Sequence, residues 1–130
     1  MSSIIKQIII SMRPQQWYKN LIIFVGIIFS HNIFNVEMWA YTIFAFVAFC
    51  LISGSIYIIN DINDIKADQL HPKKRNRPIA AGILSARIGL TIAILLLITI
   101  TLASIQVSRP LGMVVILFIL INLAYISVLI

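Results

Sequence analysis

The sequence predicts an all-α, polytopic transmembrane helix bundle, on three observations. Of its 130 residues 61% are apolar and only 11% charged, where soluble domains average roughly 45–50% and 25%. Mean hydropathy is +1.04, more apolar surface than a core of this size can hide. The few charges are gathered between long uncharged stretches of helix-spanning length, about 20 residues each. An ordinary soluble domain is therefore excluded. Richness in Ile, Leu, Val and Phe excludes disorder.

One transmembrane domain over residues 1–130 is expected, with spans at about 14–36, 38–60, 88–108 and 110–130 and a loop at 61–87. The first span is the weakest, because His31, Asn32 and Asn35 interrupt its apolar run. It reaches spanning length only if helix begins near Pro14, a residue suited to a first helical turn because its missing N–H costs nothing there. The second has 23 uncharged residues, Met38 to Asn60, or roughly 35 Å of helix. The third and fourth are joined by a tight hairpin at Ser108-Arg109-Pro110. The fourth stays apolar to Ile130 with no flanking anchor, which reads as the front part of a longer protein.

Charge sets the orientation. Nine of the ten Lys and Arg residues precede the first uncharged stretch, which begins at Asn20, or lie between the second and third spans, and only Arg109 falls elsewhere. Basic residues gather on the cytoplasmic side, so a cytoplasmic N-terminus and a cytoplasmic loop are expected in a bacterial or archaeal cell membrane. The net charge of +6 is thereby explained by topology, and no nucleic-acid partner is expected. Lys6 splits the first apolar run and no small-residue cleavage pattern follows, so no cleavable signal peptide is read. The lone Cys50 excludes an intrachain disulfide and a Cys-based metal site.

Three of the four acidic residues, Asp61, Asp64 and Asp68, follow the second span directly. On a continuous helix their spacing puts them within an arc of about 60°. Asn60, one turn before Asp64, joins that face, and Tyr57, Gly54, Ser53 and Cys50 continue it into the membrane. Carboxylates so placed repel unless a cation or protons hold them. Hard oxygen ligands suit Mg²⁺, which takes one or two carboxylates and bridges to substrate phosphates. The bland alternative is a solvated helix end balanced by Lys66 and the basic loop. Zn²⁺ is disfavoured, since His71 is the one nearby nitrogen ligand and stands before Pro72.

Beyond Pro72, which ends the helix, come Lys73-Lys74-Arg75-Asn76-Arg77-Pro78 and the small-residue turn Ala80-Ala81-Gly82. The cations can take the oxygens of a diphosphate, or can serve only as a topological anchor. The N-terminal Arg13-Pro14-Gln15-Gln16-Trp17-Tyr18-Lys19-Asn20 puts Arg13, Gln16, Trp17 and Asn20 at helical spacing. It reads either as an interfacial aromatic belt or as a polar face turned inward, since Asn20 facing lipid would be costly.

The run Asn60-Asp61-Ile62-Asn63-Asp64 with Asp68, followed by His71 to Gly82, resembles the first aspartate-rich motif of the UbiA superfamily of intramembrane transferases. Arg13-Pro14-x-Gln16-Trp17-x-Lys19-Asn20 is similar to the phosphoribosyltransferase branch of that superfamily. The resemblance covers about Met12 to Gly82. It implies the N-terminal portion of a bundle of about nine helices, with two aspartate-rich motifs that bind Mg²⁺ and a diphosphate donor, and a lipid acceptor arriving from the bilayer. Asp61, Asp64 and Asp68 would be the metal and catalytic residues. Asn60, Lys73, Arg75, Arg77, Lys19 and Asn20 would bind the substrate diphosphate. In this branch 5-phosphoribosyl 1-diphosphate is the donor and a polyprenyl phosphate the acceptor, whereas most relatives move a prenyl group from a prenyl diphosphate to an aromatic acceptor. No acidic residue follows Asp68, so the second motif is missing and the isolated chain is expected to be inactive. Two other readings stand beside this one: a prenyltransferase acting on an aromatic or other lipid-soluble acceptor, and a non-catalytic membrane or ion-transport protein whose Asp cluster is an ion site.

Overall fold

The computed structural model describes residues 2–128, and helices are the only regular secondary structure among them. α1 covers Ser2–Ser11, α2 Ile23–Phe29, α3 Val36–Asn63, α4 Ile65–Gln69, α5 Ala86–Val107 and α6 Arg109–Val128. 3-10 helices occupy Pro14–Ile22 and Lys74–Asn76. Leu129 and Ile130, which the fourth predicted span includes, lie outside the described residues.

Three helices, α3, α5 and α6, are long and apolar enough to cross a membrane. Their ends fall within about three residues of the predicted second, third and fourth spans. The first predicted span takes a different form. Pro14 opens a nine-residue 3-10 helix that passes at Ile23 into the short α2. Together they rise about 28 Å, and the helix stops at Phe29, where Ser30 to Asn35 form the turn that the polar residues foreshadowed. Asn35 then caps α3, its side-chain oxygen accepting from the Met38 N–H at 3.2 Å, and Glu37 in the first turn suits the positive end of the helix dipole.

α3 is the axis of the molecule. It packs against α1, the first 3-10 helix, α2, α5 and α6, and its 28 residues make a rod of about 42 Å, longer than the roughly 30 Å hydrocarbon core of a bilayer. Its only charged residues, Glu37 and Asp61, lie near its two ends, where such an excess can stand outside the core. Two apolar clusters flank the rod. Phe49, Ile52, Ile56, Leu97 and Val115 join α3 to α5 and α6 at mid-depth, with Phe49 edge-on to Phe118 at 5.3 Å. Met12, Ile58, Ile79, Leu84 and Ala93 close the polar end. In the second cluster the segment after Arg77 folds in under the helices: the Ile83 and Leu84 N–H groups both donate to the Pro78 carbonyl, at 2.9 and 3.0 Å. Gly82, at φ 79°, supplies the left-handed residue that this reversal needs.

α5 and α6 leave most of their apolar surface exposed, and α5 touches α3 where Gly89 faces Ile58 and Ile79. A Cβ there would lie 3.3 Å from Ile58 and 3.4 Å from Ile79. Gly89→Leu is expected to force α3 and α5 apart at a cost of about 1–3 kcal/mol, read as a lowered unfolding temperature in detergent. An unchanged temperature would show that this contact does not set the helix spacing.

Candidate functional site

Asp61 sits in the last turn of α3, only 1% exposed. A bare carboxylate so buried is costly unless it is paired and hydrogen-bonded. Two guanidinium groups from distant parts of the chain meet that demand. The Arg13 Nη2 donates to Asp61 Oδ1, and the Arg77 Nη1 lies 3.4 Å from the same oxygen. Arg77 Nη1 also lies 3.3 Å from Oδ2 of the buried Asp68, so one nitrogen serves two carboxylates. The Arg13 guanidinium stands over the Tyr57 ring, 4.7 Å from its centroid, a cation–π contact one turn below Asp61 on α3.

Arg13 reaches this position from an unusual backbone. It separates α1 from the first 3-10 helix at φ 54° and ψ 63°, a left-handed conformation that costs a non-glycine residue about 1–3 kcal/mol unless its surroundings hold it. Trp17 helps to hold it, its indole N–H donating to the Met12 carbonyl at 2.9 Å. Asn20, further along the same helix, turns toward α3, its amide 3.6 Å from the Cys50 sulfur.

The aspartates were expected on one continuous helical face, and the helix is interrupted instead. α3 ends at Asn63, Asp64 adopts φ −97° and ψ 13°, and α4 restarts at Ile65. Asn60, Asp61, Asn63 and Asp64 are all weak helix formers. The break lets Asp68 turn to Arg77 while Asp64 stays half-buried, without an ion pair among the described residues. His71 caps the short 3-10 helix, its Nδ1 accepting from the Lys73 and Lys74 N–H groups at 3.1 Å each. Ala80 is buried with its carbonyl bonded to Gln69 at 3.2 Å.

These residues frame a cleft of about 380 Å³ at the polar end of the bundle, lined by Arg13, Gln15, Gln16, Asp61, Lys73, Asn76 and Arg77, with Ile10, Ser11 and Pro78. Its size falls in the range of small-ligand pockets, roughly 300–1,000 Å³. Of the residues singled out from sequence, Asp61, Lys73 and Arg77 line it, and Asp68 joins through Arg77. Asn60, Asp64, Lys19, Asn20 and Arg75 do not line it; Lys19 and Arg75 are exposed. Arg13, Gln15, Gln16 and Asn76, none of which the sequence assigned to the diphosphate, line it too. The signal for Arg13, Gln15 and Gln16 was the polar run around Pro14 and for Asn76 the basic loop, but a partnership 48 residues apart leaves no mark on local spacing.

Among the described residues no three His, Cys, Asp or Glu side chains form a metal cage. The donor chemistry present fits Mg²⁺ in another way. Asp61 and Asp68 present hard oxygens to a common point now filled by a guanidinium nitrogen, and Mg²⁺ needs only one or two carboxylates when phosphates and water complete its shell.

Residues 20–129 match the UbiA prenyltransferase family. The chain belongs to this family. Within it, the chain is 36% identical over 129 residues to a decaprenyl-phosphate phosphoribosyltransferase of Mycolicibacterium smegmatis, covering 95% of this chain and 40% of that protein. It is 30% identical over 132 positions to the protein of the same name from Mycobacterium tuberculosis, covering 95% and 42%. Nodulation protein NoeC of Azorhizobium caulinodans is 33% identical over 88 residues, 65% of this chain and 27% of that protein. The chain thus spans about two fifths of the length of the phosphoribosyltransferases that it matches. As a UbiA-family protein it is an integral membrane helix bundle, and the ion-paired cleft lies at the end of its central helix.

Because Asp61 engages two arginines and Asp68 one, truncating Asp61 to Ala is expected to cost the most stability, about 1–3 kcal/mol. Asp68→Ala should cost less and Asp64→Ala least. Chemical unfolding of the three variants in detergent gives the order, and a result with Asp64 first would refute this account of the network.

Proposed function

We propose that the cleft is the donor-diphosphate half of a transferase site, using 5-phosphoribosyl 1-diphosphate as donor and a polyprenyl phosphate as acceptor. The carrying observation is that Arg13 and Arg77, held by the buried carboxylates of Asp61 and Asp68, line a cleft that also presents Asp61 and Lys73. The phosphoribosyltransferase names of relatives that match nearly the whole chain support this donor. So does the lining. Gln15, Gln16 and Asn76 supply hydrogen-bonding groups suited to ribose hydroxyls, whereas a prenyl chain calls for apolar walls.

In this reading Arg13, Arg77 and Lys73 bind phosphate oxygens and oppose the negative charge that grows on the departing diphosphate. Asp61 and Asp68 would hold Mg²⁺, with Asp64 beside them, and bound Mg²⁺ supplies further neutralisation of that leaving group. A phosphate oxygen of the acceptor bonds to the ribose anomeric carbon as the carbon–oxygen bond to diphosphate breaks. The diphosphate leaves with the electron pair. Siting the cleft at the end of α3 lets a charged donor arrive from water while a lipid acceptor stays in the bilayer. The distribution of Lys and Arg supports placing this end at the cytoplasmic face.

Purified chain in nanodiscs is expected to bind phosphoribosyl diphosphate with Mg²⁺, and Arg77→Ala to weaken that binding about tenfold or more. Farnesyl diphosphate, which shares the diphosphate but has no hydroxyls for Gln15, Gln16 and Asn76, should compete about tenfold more weakly than phosphoribosyl diphosphate. Competition by farnesyl diphosphate, with no effect of the phosphoribosyl compound, would establish the prenyltransferase reading instead. Membranes containing only these 130 residues are expected to release no diphosphate from the donor, because no acidic residue follows Asp68. Mg²⁺-dependent release would refute the need for a second aspartate motif.

A further inference from the structure

Two consecutive residues, Met12 and Arg13, lie along two turns of α3. Met12 is buried and packs on Gly54, Arg13 covers Tyr57, and Arg13 pairs with Asp61. Gly54, Tyr57 and Asp61 follow at i, i+3 and i+7, one face of the helix. At Gly54 Met12 fills the space that a side chain would occupy. A Cβ added there would lie 2.6 Å from Met12 Cε, 2.8 Å from Met12 Cβ and 3.1 Å from Met12 Cγ. The Cε is the end of a flexible side chain and can move aside, but the Cβ is fixed to its backbone. Any side chain at position 54 therefore pushes the Met12 backbone off α3, and with it Arg13, whose left-handed conformation leaves little freedom to compensate.

We infer that Gly54 is a positioning residue for the diphosphate site: its missing side chain sets how closely Met12 approaches α3, and so where the Arg13 guanidinium stands between Tyr57, Asp61 and the cleft. This inference rests on the reading proposed above. Gly54 touches no ligand itself and acts through Met12 and Arg13. Trp17 reports on the arrangement, because its indole donates to the Met12 carbonyl.

The test uses the chain in nanodiscs with Trp39→Phe, which leaves Trp17 as its only tryptophan, and inorganic diphosphate with Mg²⁺ as the probe. Gly54→Ala is expected to shift Trp17 emission and to weaken diphosphate binding about tenfold, the size of one lost charge-assisted contact. Adding Met12→Gly, which removes the opposing Cβ, should restore binding to within about threefold of the parent. If Gly54→Ala does not fold, Met12→Ala serves in its place: it empties the same notch without adding an atom and should weaken binding by about threefold or more. Binding by Gly54→Ala or Met12→Ala equal to the parent's would overturn the positioning role alone. A parent chain that binds no diphosphate would take down both this inference and the proposed function.

Discussion

Two carboxylates buried at the end of an apolar bundle impose the constraint on which the rest of the polar end depends. Asp61 and Asp68 lie where water is scarce, so each must meet a cation in place. Arg77 meets both and Arg13 meets one. Three local irregularities follow from that requirement. The chain breaks between α1 and the first 3-10 helix so that Arg13 can point back at α3. The helix interrupts at Asp64 so that Asp68 can turn to the same nitrogen as Asp61. The segment after Pro72 folds inward, burying Ile79 and Leu84, so that Arg77 comes within reach. Each would look like a local defect if the ion pairs were ignored.

The same network explains how a small, mostly apolar chain keeps a polar cleft open. Paired charges on rigid elements resist collapse, because an apolar side chain moved into their place would leave a carboxylate unsatisfied. α3 provides the rigidity. Its mid-depth face packs on α5 and α6 through Phe49, Ile52 and Ile56, and its 28 residues exceed the length that a bilayer core requires. Chemistry on a charged group at a membrane boundary needs this division of labour: an apolar shaft for anchorage and a protruding end for charge. α5 and α6 keep exposed apolar faces, the surface expected of helices that cross a bilayer.

Much of this was legible in the residues. Hydropathy runs located α3, α5 and α6 to within a few positions, since a membrane span needs length and apolarity and both are properties of a sequence window. The aspartates stood out because acidic residues are so scarce here, and the spacing of Asn60, Asp61, Asp64 and Asp68 with the basic loop pointed to the family that the comparisons show. Less legible was the first span, whose Pro14 start was foreseen but whose 3-10 geometry was not. Helix type there depends on packing against α3, which no local pattern encodes.

What the sequence determined by itself is the class of protein, the central helix, the end of that helix where charge collects, and the residue types available for diphosphate chemistry. All of these rest on composition and on periodicity over one or two turns. Tertiary structure decided which of those residues meet. Arg13 and Gln16 line the cleft with Asp61, Lys73 and Arg77, whereas Lys19 and Arg75 face outward and Asn20 turns to Cys50. The reason is physical. Partnership across 48 residues is set by how closely Met12 packs on Gly54 and by the need of a buried carboxylate for a cation, and both conditions exist only once the helices have come together.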